Sequence, residues 1–538
     1  MARPAIAPPF LLALALALAA ALAAAAPAPG AAPRHALAED AAAADAPFRA
    51  VTPSGRLTER PVGQLPNYIP SAAPAAAAAA ENSWDVDDDA PASAAAGEAA
   101  GGAGGGGLPI VDPPKRMAGY FKLNRTHDAH MFYLYYGSRG RRSDPVVLWM
   151  TGGPGCSSEI AVFYENGPYH LSKNLTLYDN PWGWDAAAHV IFVDQPINTG
   201  FSWSDDPRDS VSREGVVSAD MLDFLQEFFE AHPEIADNDF YVSGESYAGH
   251  YAPAVANRIY RARELGEGAP INLQGVAIGN GLTMPAVQFG AYADFAQQNG
   301  IISERTRDSI NWWMPPCRWG AGLCNSYKWG WLCGLTLQYC QLAIFNRVLM
   351  AKPGVNVYDI RKDCDGPLCY DFSDADAYLN SAAVRKALGV GDRSWQECNM
   401  LVHAGFWGDF MRDFGAKLVP LLEDGVRVMI YAGDQDLICN WLGNRRWVDA
   451  LDWAGKEGWA QAQEQTWTVK GQPAGAVTSY DGLSFVKVFQ AGHMVPMDQP
   501  QAALDMISRF TRGKPLADGG DAGEGAAAGA AGGAARPS

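Results

Sequence analysis

Ser246 stands in the run Gly244-Glu245-Ser246-Tyr247-Ala248-Gly249, directly behind the apolar stretch Phe240-Tyr241-Val242. A serine on a tight turn between a strand and a helix is held with its oxygen exposed, and so a weak hydroxyl becomes an attacking nucleophile. The flanks suit that geometry. A β-branched and aromatic run precedes the turn, and Pro253 to Tyr260 reads as a helix with proline near its start. The general spacing G-x-S-x-G asks for glycine at 248, where this chain has Ala248 and places Gly249 one step later. Alanine is small enough for close strand-to-helix approach, so the turn survives. A serine between glycines also occurs in ordinary loops, and the turn alone decides nothing.

A nucleophilic serine needs a base, an acid to orient it and donors for the developing oxyanion. In open α/β sheets such groups gather beyond the carboxyl ends of strands. Gly492-His493-Met494 follows the strand-like run ending at Phe489, and Gly433-Asp434-Gln435-Asp436 follows the run ending at Tyr431. The chain order is serine, aspartate, histidine, which is the order of the α/β-hydrolase fold. Asp434 and Asp436 share one turn, and the residues alone leave the choice between them open. A third loop, Gly152-Gly153-Pro154-Gly155, follows the run ending near Trp149. Its amide at Gly153, with that of Tyr247, makes a candidate oxyanion hole, each donor worth on the order of 3 to 4 kcal/mol in comparable enzymes. No lysine follows these glycines, so a nucleotide-binding P-loop is disfavoured. Chemistry of this kind calls for no cofactor and no metal.

The elements that must position these groups alternate. Phe132 to Tyr136, Val146 to Trp149, His189 to Val193, Leu273 to Gly279, Val426 to Tyr431 and Phe485 to Phe489 read as strands, and Met221 to Phe229 has helical spacing. Alternation predicts an α/β fold with a mostly parallel central sheet flanked by helices. Residues 285–420 break the pattern and hold seven of the nine cysteines, which predicts a disulfide-rich, largely helical cap insertion. Four of them, Cys317, Cys324, Cys333 and Cys340, share a tryptophan-rich segment. Their spacing lacks the C-x₂-C pairs of a zinc site, and disulfides are the preferred reading.

Composition divides the 538 residues. Residues 1–26 carry Arg3 and an apolar run with small residues at its end, the form of a secretory signal peptide rather than a membrane anchor. Residues 27–107 are an alanine-, glycine- and proline-rich low-complexity leader, positioned as a propeptide. The catalytic domain is expected over 108–516, and 517–538 is an Ala/Gly-rich tail without the apolar residues to fold. A formal net charge of -18 argues against nucleic acid as a partner. Asn124-Arg125-Thr126 and Asn174-Leu175-Thr176 are N-glycan acceptor tripeptides, consistent with the secretory route and with either vacuole or extracellular space as destination. No later segment is apolar enough to span a bilayer, so a membrane is not expected as a partner of the mature form.

At these residues the chain resembles the serine carboxypeptidases, in particular the plant type III and carboxypeptidase Y branch. The resemblance rests on Trp149 to Ser158 (Trp-Met-Thr-Gly-Gly-Pro-Gly-Cys-Ser-Ser), Gly244 to Tyr251, Ala432 to Gly443 and Ala491 to Pro496. Ala248-Gly249 is that family's own form of the elbow. The resemblance implies that Asp436 completes a Ser246–His493–Asp436 triad. It also implies removal of C-terminal residues from peptides at acidic pH. The substrate's terminal carboxylate would be held by Trp149, Thr151, Gly152, Glu165 and Glu245. Where carboxypeptidase Y has asparagine, this chain has Thr151, a shorter donor. Two glutamates facing a carboxylate bind it only if one stays protonated.

The resemblance further implies the disulfides Cys156–Cys398, Cys317–Cys340, Cys324–Cys333 and Cys364–Cys369, leaving Cys439 free and beside the active site with Met494. Two other functions are carried as alternatives. One is acyl transfer from sugar esters, whose relatives tend to carry aspartate before the serine and serine two residues after it, where this chain has Glu245 and Ala248. The other is a non-catalytic role as a stabilising partner of other vacuolar enzymes. Side-chain preference and the choice between monomer and homodimer are not readable from these residues.

Overall fold

The β-branched and aromatic runs form strands of one eleven-stranded sheet, and the helical insertion follows one of its central strands. A computed structural model describes residues 59–62, 65–69, 115–366 and 368–517. The signal-peptide reading over 1–26, most of the leader and all but one residue of the tail lie outside the described residues.

The strands are β1 (Arg60–Pro61), β2 (Tyr68–Ile69), β3 (Arg116–Lys122), β4 (His130–Tyr136), β5 (Val146–Met150), β6 (Tyr169–Leu171) and β7 (Leu177–Asp179). They continue with β8 (His189–Val193), β9 (Phe240–Glu245), β10 (Leu273–Gly279), β11 (Arg427–Gly433), β12 (Gln465–Val469), β13 (Gln472–Tyr480) and β14 (Leu483–Val488). The large sheet has the order β1-β3-β4-β8-β5-β9-β10-β11-β14-β13-β12. Its centre, from β8 to β14, is parallel throughout, and both flanks are antiparallel. The expected α/β-hydrolase architecture is therefore present. Every residue of β5, β8 and β9 is buried, which is why these strands read as continuous apolar runs rather than as alternating ones.

Two apolar cores lie on the two faces of the sheet. One joins the helices Glu214–Ala231 and Ala248–Leu265 to one face, and the other packs Pro500–Thr511 against the opposite face. Met221 to Phe229 lies inside the first of these helices. The helix expected from Pro253 begins earlier, at Ala248, because it leaves the serine turn directly and carries Pro253 in its interior. Strands β3, β12 and β13 were not legible as apolar runs. β12 and the ends of β13 are partly exposed toward one edge of the sheet, whereas β3 is buried on both faces but is interrupted by Gly119 and bounded by Arg116 and Lys122.

Residues between β10 and β11 form the cap, with helices that include Tyr292–Gln298, Met314–Tyr327 and Gly330–Cys340 around a core of their own. Disulfides join Cys317 to Cys340, Cys324 to Cys333 and Cys364 to Cys369 within it. Cys156–Cys398 ties it to the sheet.

The folded unit reaches back beyond Leu108. Within the stretch read as a featureless leader, β1 pairs with β3 and β2 pairs with β7, and Val62 and Leu65 are buried. Glu59 accepts hydrogen bonds from Tyr133 Oη at 2.8 Å and from His232 Nε2 at 2.6 Å. Two-residue strands with only a few buried apolar side chains leave no period to detect, so a compositional reading passes over them.

Candidate active site

Ser246 ends up in the left-handed region, at φ 65°, between β9 and its helix. Such a backbone costs about 1 to 3 kcal/mol in a residue that is not glycine, so its neighbours must hold it. They do so on both sides. The Ser246 amide donates to Gly279 O at 3.1 Å, and its carbonyl accepts from Gly249 N at 3.0 Å and Leu282 N at 2.9 Å. A Cβ at 249 would lie 2.5 Å from Leu282 O, so the glycine belongs at that position, where the helix meets the next loop. This close approach accounts for the displaced glycine of the elbow.

His493 lies in the loop after β14, and Asp436 in the loop after β11. Asp436 Oδ2 accepts from His493 Nδ1 at 2.9 Å. Asp436 is fully buried and also accepts from Asn280 Nδ2 at 2.7 Å, Ile438 N at 3.0 Å and Cys439 N at 3.2 Å. Those donors keep a buried carboxylate supplied with hydrogen bonds. Asp434 points elsewhere, accepting from the Gln435 side chain at 3.0 Å, so the histidine's partner is Asp436. His493 is held from behind, where its amide donates to Tyr358 O at 2.8 Å and its ring packs on the Tyr358 ring at 5.0 Å. Its Nε2 is buried and has no hydrogen-bond partner among the described residues. With Nδ1 donating to the aspartate, Nε2 is left as the acceptor a hydroxyl proton requires.

Gly152 brings the glycine loop against the elbow. A Cβ there would sit 2.4 Å from Tyr247 N and 2.8 Å from Ser246 Cβ, so no other residue fits. This contact sets the amides of Gly153 and Tyr247 beside the serine. Neither donates to another backbone group among the described residues. Both residues, with Ser246, line one cavity of ≈ 430 Å³, closed from above by cap residues including Leu337, His403 and Trp407.

Glu165 follows the helix Glu159–Tyr164, and Glu245 ends β9 immediately before the serine. Both are buried and face each other within hydrogen-bonding reach. Burial is the larger cause of the shift in each. It pushes Glu165 up to about 8, and it lifts Glu245 well above the usual carboxylate range, with the charge of Glu165 adding to the effect. As two anions they would leave both oxygens of Glu165 and one of Glu245 without a donor. A proton on either supplies one.

The remaining predicted positions distribute as follows. The Trp149 indole donates to Thr151 Oγ1 at 3.1 Å, so its N–H is spent on the threonine, whose hydroxyl proton is left to point onward. Cys439 is the free cysteine among the described residues and lines the cavity that holds Ser246, while burial first and the charge of Asp436 second hold its thiol well above the ordinary range. Met494 follows His493 and packs into the second core rather than into the cavity. Asp436, Cys439 and His493 offer ligand atoms within 4.8 Å of one another, a set that a soft cation would find. Asn124 and Asn174 are both exposed.

Sequence reasoning passed over Asn280. It sits at φ 40° just after β10, donates to Asp436 and accepts from Gly433 N at 3.2 Å. Its one local signal is the pair of flanking glycines at 279 and 281.

Comparison with known proteins agrees with this geometry. A family model described as serine carboxypeptidase matches residues 109–513. The chain is 50% identical over 397 residues to serine carboxypeptidase 3 of Hordeum vulgare, covering 74% of this chain and 78% of that protein. It is 48% identical over 397 residues to serine carboxypeptidase-like 47 of Arabidopsis thaliana, with the same coverage of both. Among solved structures, a prohormone-processing carboxypeptidase of Saccharomyces cerevisiae superposes with a TM-score of 0.67 at 27% identity, over 74% of this chain and 91% of that one.

Proposed function

The chain belongs to the serine carboxypeptidase family, and from that membership we propose that Ser246, His493 and Asp436 cleave the last peptide bond of a substrate whose terminal carboxylate is held beside Glu245. The protein is a serine carboxypeptidase acting on peptides or proteins. Acyl transfer from sugar esters is not favoured by these relatives.

In the proposed reaction, Ser246 Oγ attacks the scissile carbonyl carbon while His493 Nε2 takes the hydroxyl proton. The oxyanion is held by the amides of Gly153 and Tyr247. As the C–N bond breaks, His493 returns its proton to the departing amino acid, leaving an ester on Ser246. Water then attacks this ester, giving a proton to His493, and the serine recovers it as the shortened peptide leaves. Asp436 keeps the imidazole in the tautomer these transfers need and stabilises it when charged.

One observation carries the exopeptidase reading, namely the buried acid pair Glu165–Glu245 at the shoulder of the nucleophile. A pair that retains a proton in acid solution can donate to a terminal carboxylate, and an internal peptide bond offers no such group. Thr151 and the backbone at Gly152 add donors, and Trp149 acts through Thr151. Binding is therefore strongest at acidic pH. The test compares a blocked dipeptide, the same dipeptide with a C-terminal amide, and a glucose ester. Rapid release from the free acid alone supports the reading. Equal turnover of the amide refutes carboxylate recognition, and preference for the ester refutes peptide hydrolysis.

Residues 1–26 direct the chain into the secretory pathway, toward vacuole or extracellular space, with glycans at Asn124 and Asn174. Residues 27–107 serve as a propeptide and 108–516 as the catalytic domain, with 517–538 as a tail. Pairing of β1 with β3 and of β2 with β7 supports a propeptide that docks on the domain rather than one that merely precedes it.

A further inference from the structure

A second cavity opens beside the catalytic one. It is a groove of ≈ 620 Å³ that shares Ala404 and Trp407 with the cavity holding Ser246. Trp331 and Trp407 are its large apolar side chains, with Arg213 and Arg412 also in its lining. Trp331 is 55% exposed and Trp407 49%, a large display of apolar surface for two neighbouring rings. Trp331 stacks on Trp329 at 5.9 Å, and Trp329 on Tyr327 at 5.0 Å, so an aromatic row runs outward from the groove. Gly330, Gly334 and Gly405 line the same groove and send no side chain into it, leaving room for a polypeptide backbone.

The direction of the substrate decides what this groove receives. An exopeptidase closes off the space beyond the scissile bond, and here the buried Glu165–Glu245 pair does so without lining the cap-side cavity. The chain before the scissile bond must leave on the other side, under the cap, along the wall formed by His403, Ala404 and Trp407. Two residues of that wall, Ala404 and Trp407, also line the second groove.

We propose that this groove is an extended subsite of the carboxypeptidase, taking an aromatic or large aliphatic side chain of the substrate two or more residues ahead of the one attached to Ser246. The proposal rests on the carboxypeptidase reading above and adds to it a preference for long, apolar substrates. Ring-on-ring contact with Trp331 supplies the selectivity, and removal of that ring leaves the triad, the oxyanion amides and the acid pair untouched.

The experiment measures kcat/KM for a blocked dipeptide and for pentapeptides with the same last two residues. A single phenylalanine is moved through the upstream positions against a glycine background, in wild-type protein, Trp331→Ala and Trp331→Phe. The expected result is a gain of about three- to tenfold for phenylalanine at one upstream position. Trp331→Ala loses it, Trp331→Phe keeps most of it, and the dipeptide is unaffected throughout. The same order of affinities is expected by calorimetry in a Ser246→Ala background. Normal dipeptide turnover with no upstream preference, or a preference that survives Trp331→Ala, overturns the proposal alone. Concentration-dependent self-association abolished by Trp331→Ala, with peptide kinetics unchanged, assigns the groove to a second copy and also overturns it. Failure to cleave any peptide overturns the carboxypeptidase reading, and this proposal with it.

Discussion

Asn280 donates to the same oxygen of Asp436 that accepts from His493, at 2.7 Å and 2.9 Å. With the Cys439 amide at 3.2 Å, one oxygen of a buried carboxylate thus faces three donors. The Asn280 amide favours the carboxylate's negative form, and the imidazole is the base proposed for Ser246.

Asn280→Ala removes the first donor and frees Asp436 to turn. We expect kcat to fall about tenfold with KM within about twofold of wild type, the signature of a contact that matters when His493 is charged. Steady-state kinetics on a blocked dipeptide decide it. An unchanged kcat shows that the backbone amides of Ile438 and Cys439 hold Asp436 unaided.

Ser246→Ala is expected to lower kcat by on the order of 10⁶-fold. Peptide binding, measured by calorimetry at acidic pH, persists because the acid pair is intact. Residual turnover close to wild type would remove Ser246 from the mechanism.

The Glu165–Glu245 pair gives KM a pH dependence. Both acids have folded-state values raised above the ordinary range by burial, Glu165 to about 8. The donor proton is therefore present in acid and lost as pH rises toward 8. KM should rise from pH 5 to pH 8, and Glu245→Gln, which donates at every pH, should flatten the profile. A wild-type KM that is constant from pH 4 to 8 contradicts this account of carboxylate recognition.

Stability should follow a related curve. Burial raises Glu165 to about 8, Asp220 to about 7 and Asp223 to about 6, for the two aspartates against the opposing pull of Arg125. Unfolded carboxyls titrate near 4, so the folded chain holds extra protons between about pH 4 and 8. The stability these groups contribute is complete below about pH 4 and drains away as pH rises through 6 to 8. Buried His250, pushed down to about 3 chiefly by burial, acts in the opposite sense below about pH 6.5. Three carboxyls outweigh one histidine above about pH 4, so Tm is expected to be highest near pH 4 and to fall by several degrees by pH 8. Calorimetry across that range checks it, and a Tm still rising at pH 8 reverses the sign.

Cys439 is buried at the cavity wall as a protonated thiol, close to Asp436 and His493. A mercurial, which binds sulfur tightly, should inactivate the enzyme, and Cys439→Ala should be active and resistant. Full activity of the mercurial-treated wild type places the thiol away from the substrate path.

Local pattern made much of the site legible. Each reactive group stands on a short turn behind an apolar run, and such turns announce themselves within a few residues. Ser246, His493 and the Gly152–Gly155 loop could be named this way. The aspartate could be narrowed to two neighbours, and the parallel centre of the sheet followed from the alternation of elements. The edge strands and the 59–69 segment could not be read, because short, half-exposed pairings carry no period.

The sequence by itself determined which residues could do acyl chemistry, their order along the chain and the enclosing fold class, because strand, turn and helix signals are local. Only the tertiary structure decided that His493 meets Asp436 rather than Asp434 and that Asn280 supports the same oxygen. It also decided that Trp149 spends its donor on Thr151, and that Glu165 and Glu245 meet out of water. Apart from the Trp149–Thr151 contact, which is two residues long, those relationships join segments far apart in the chain. They depend on strand order, on close glycine contacts at 152 and 249, and on how deeply the cap buries what lies beneath it, and no spacing within a single segment reports any of these.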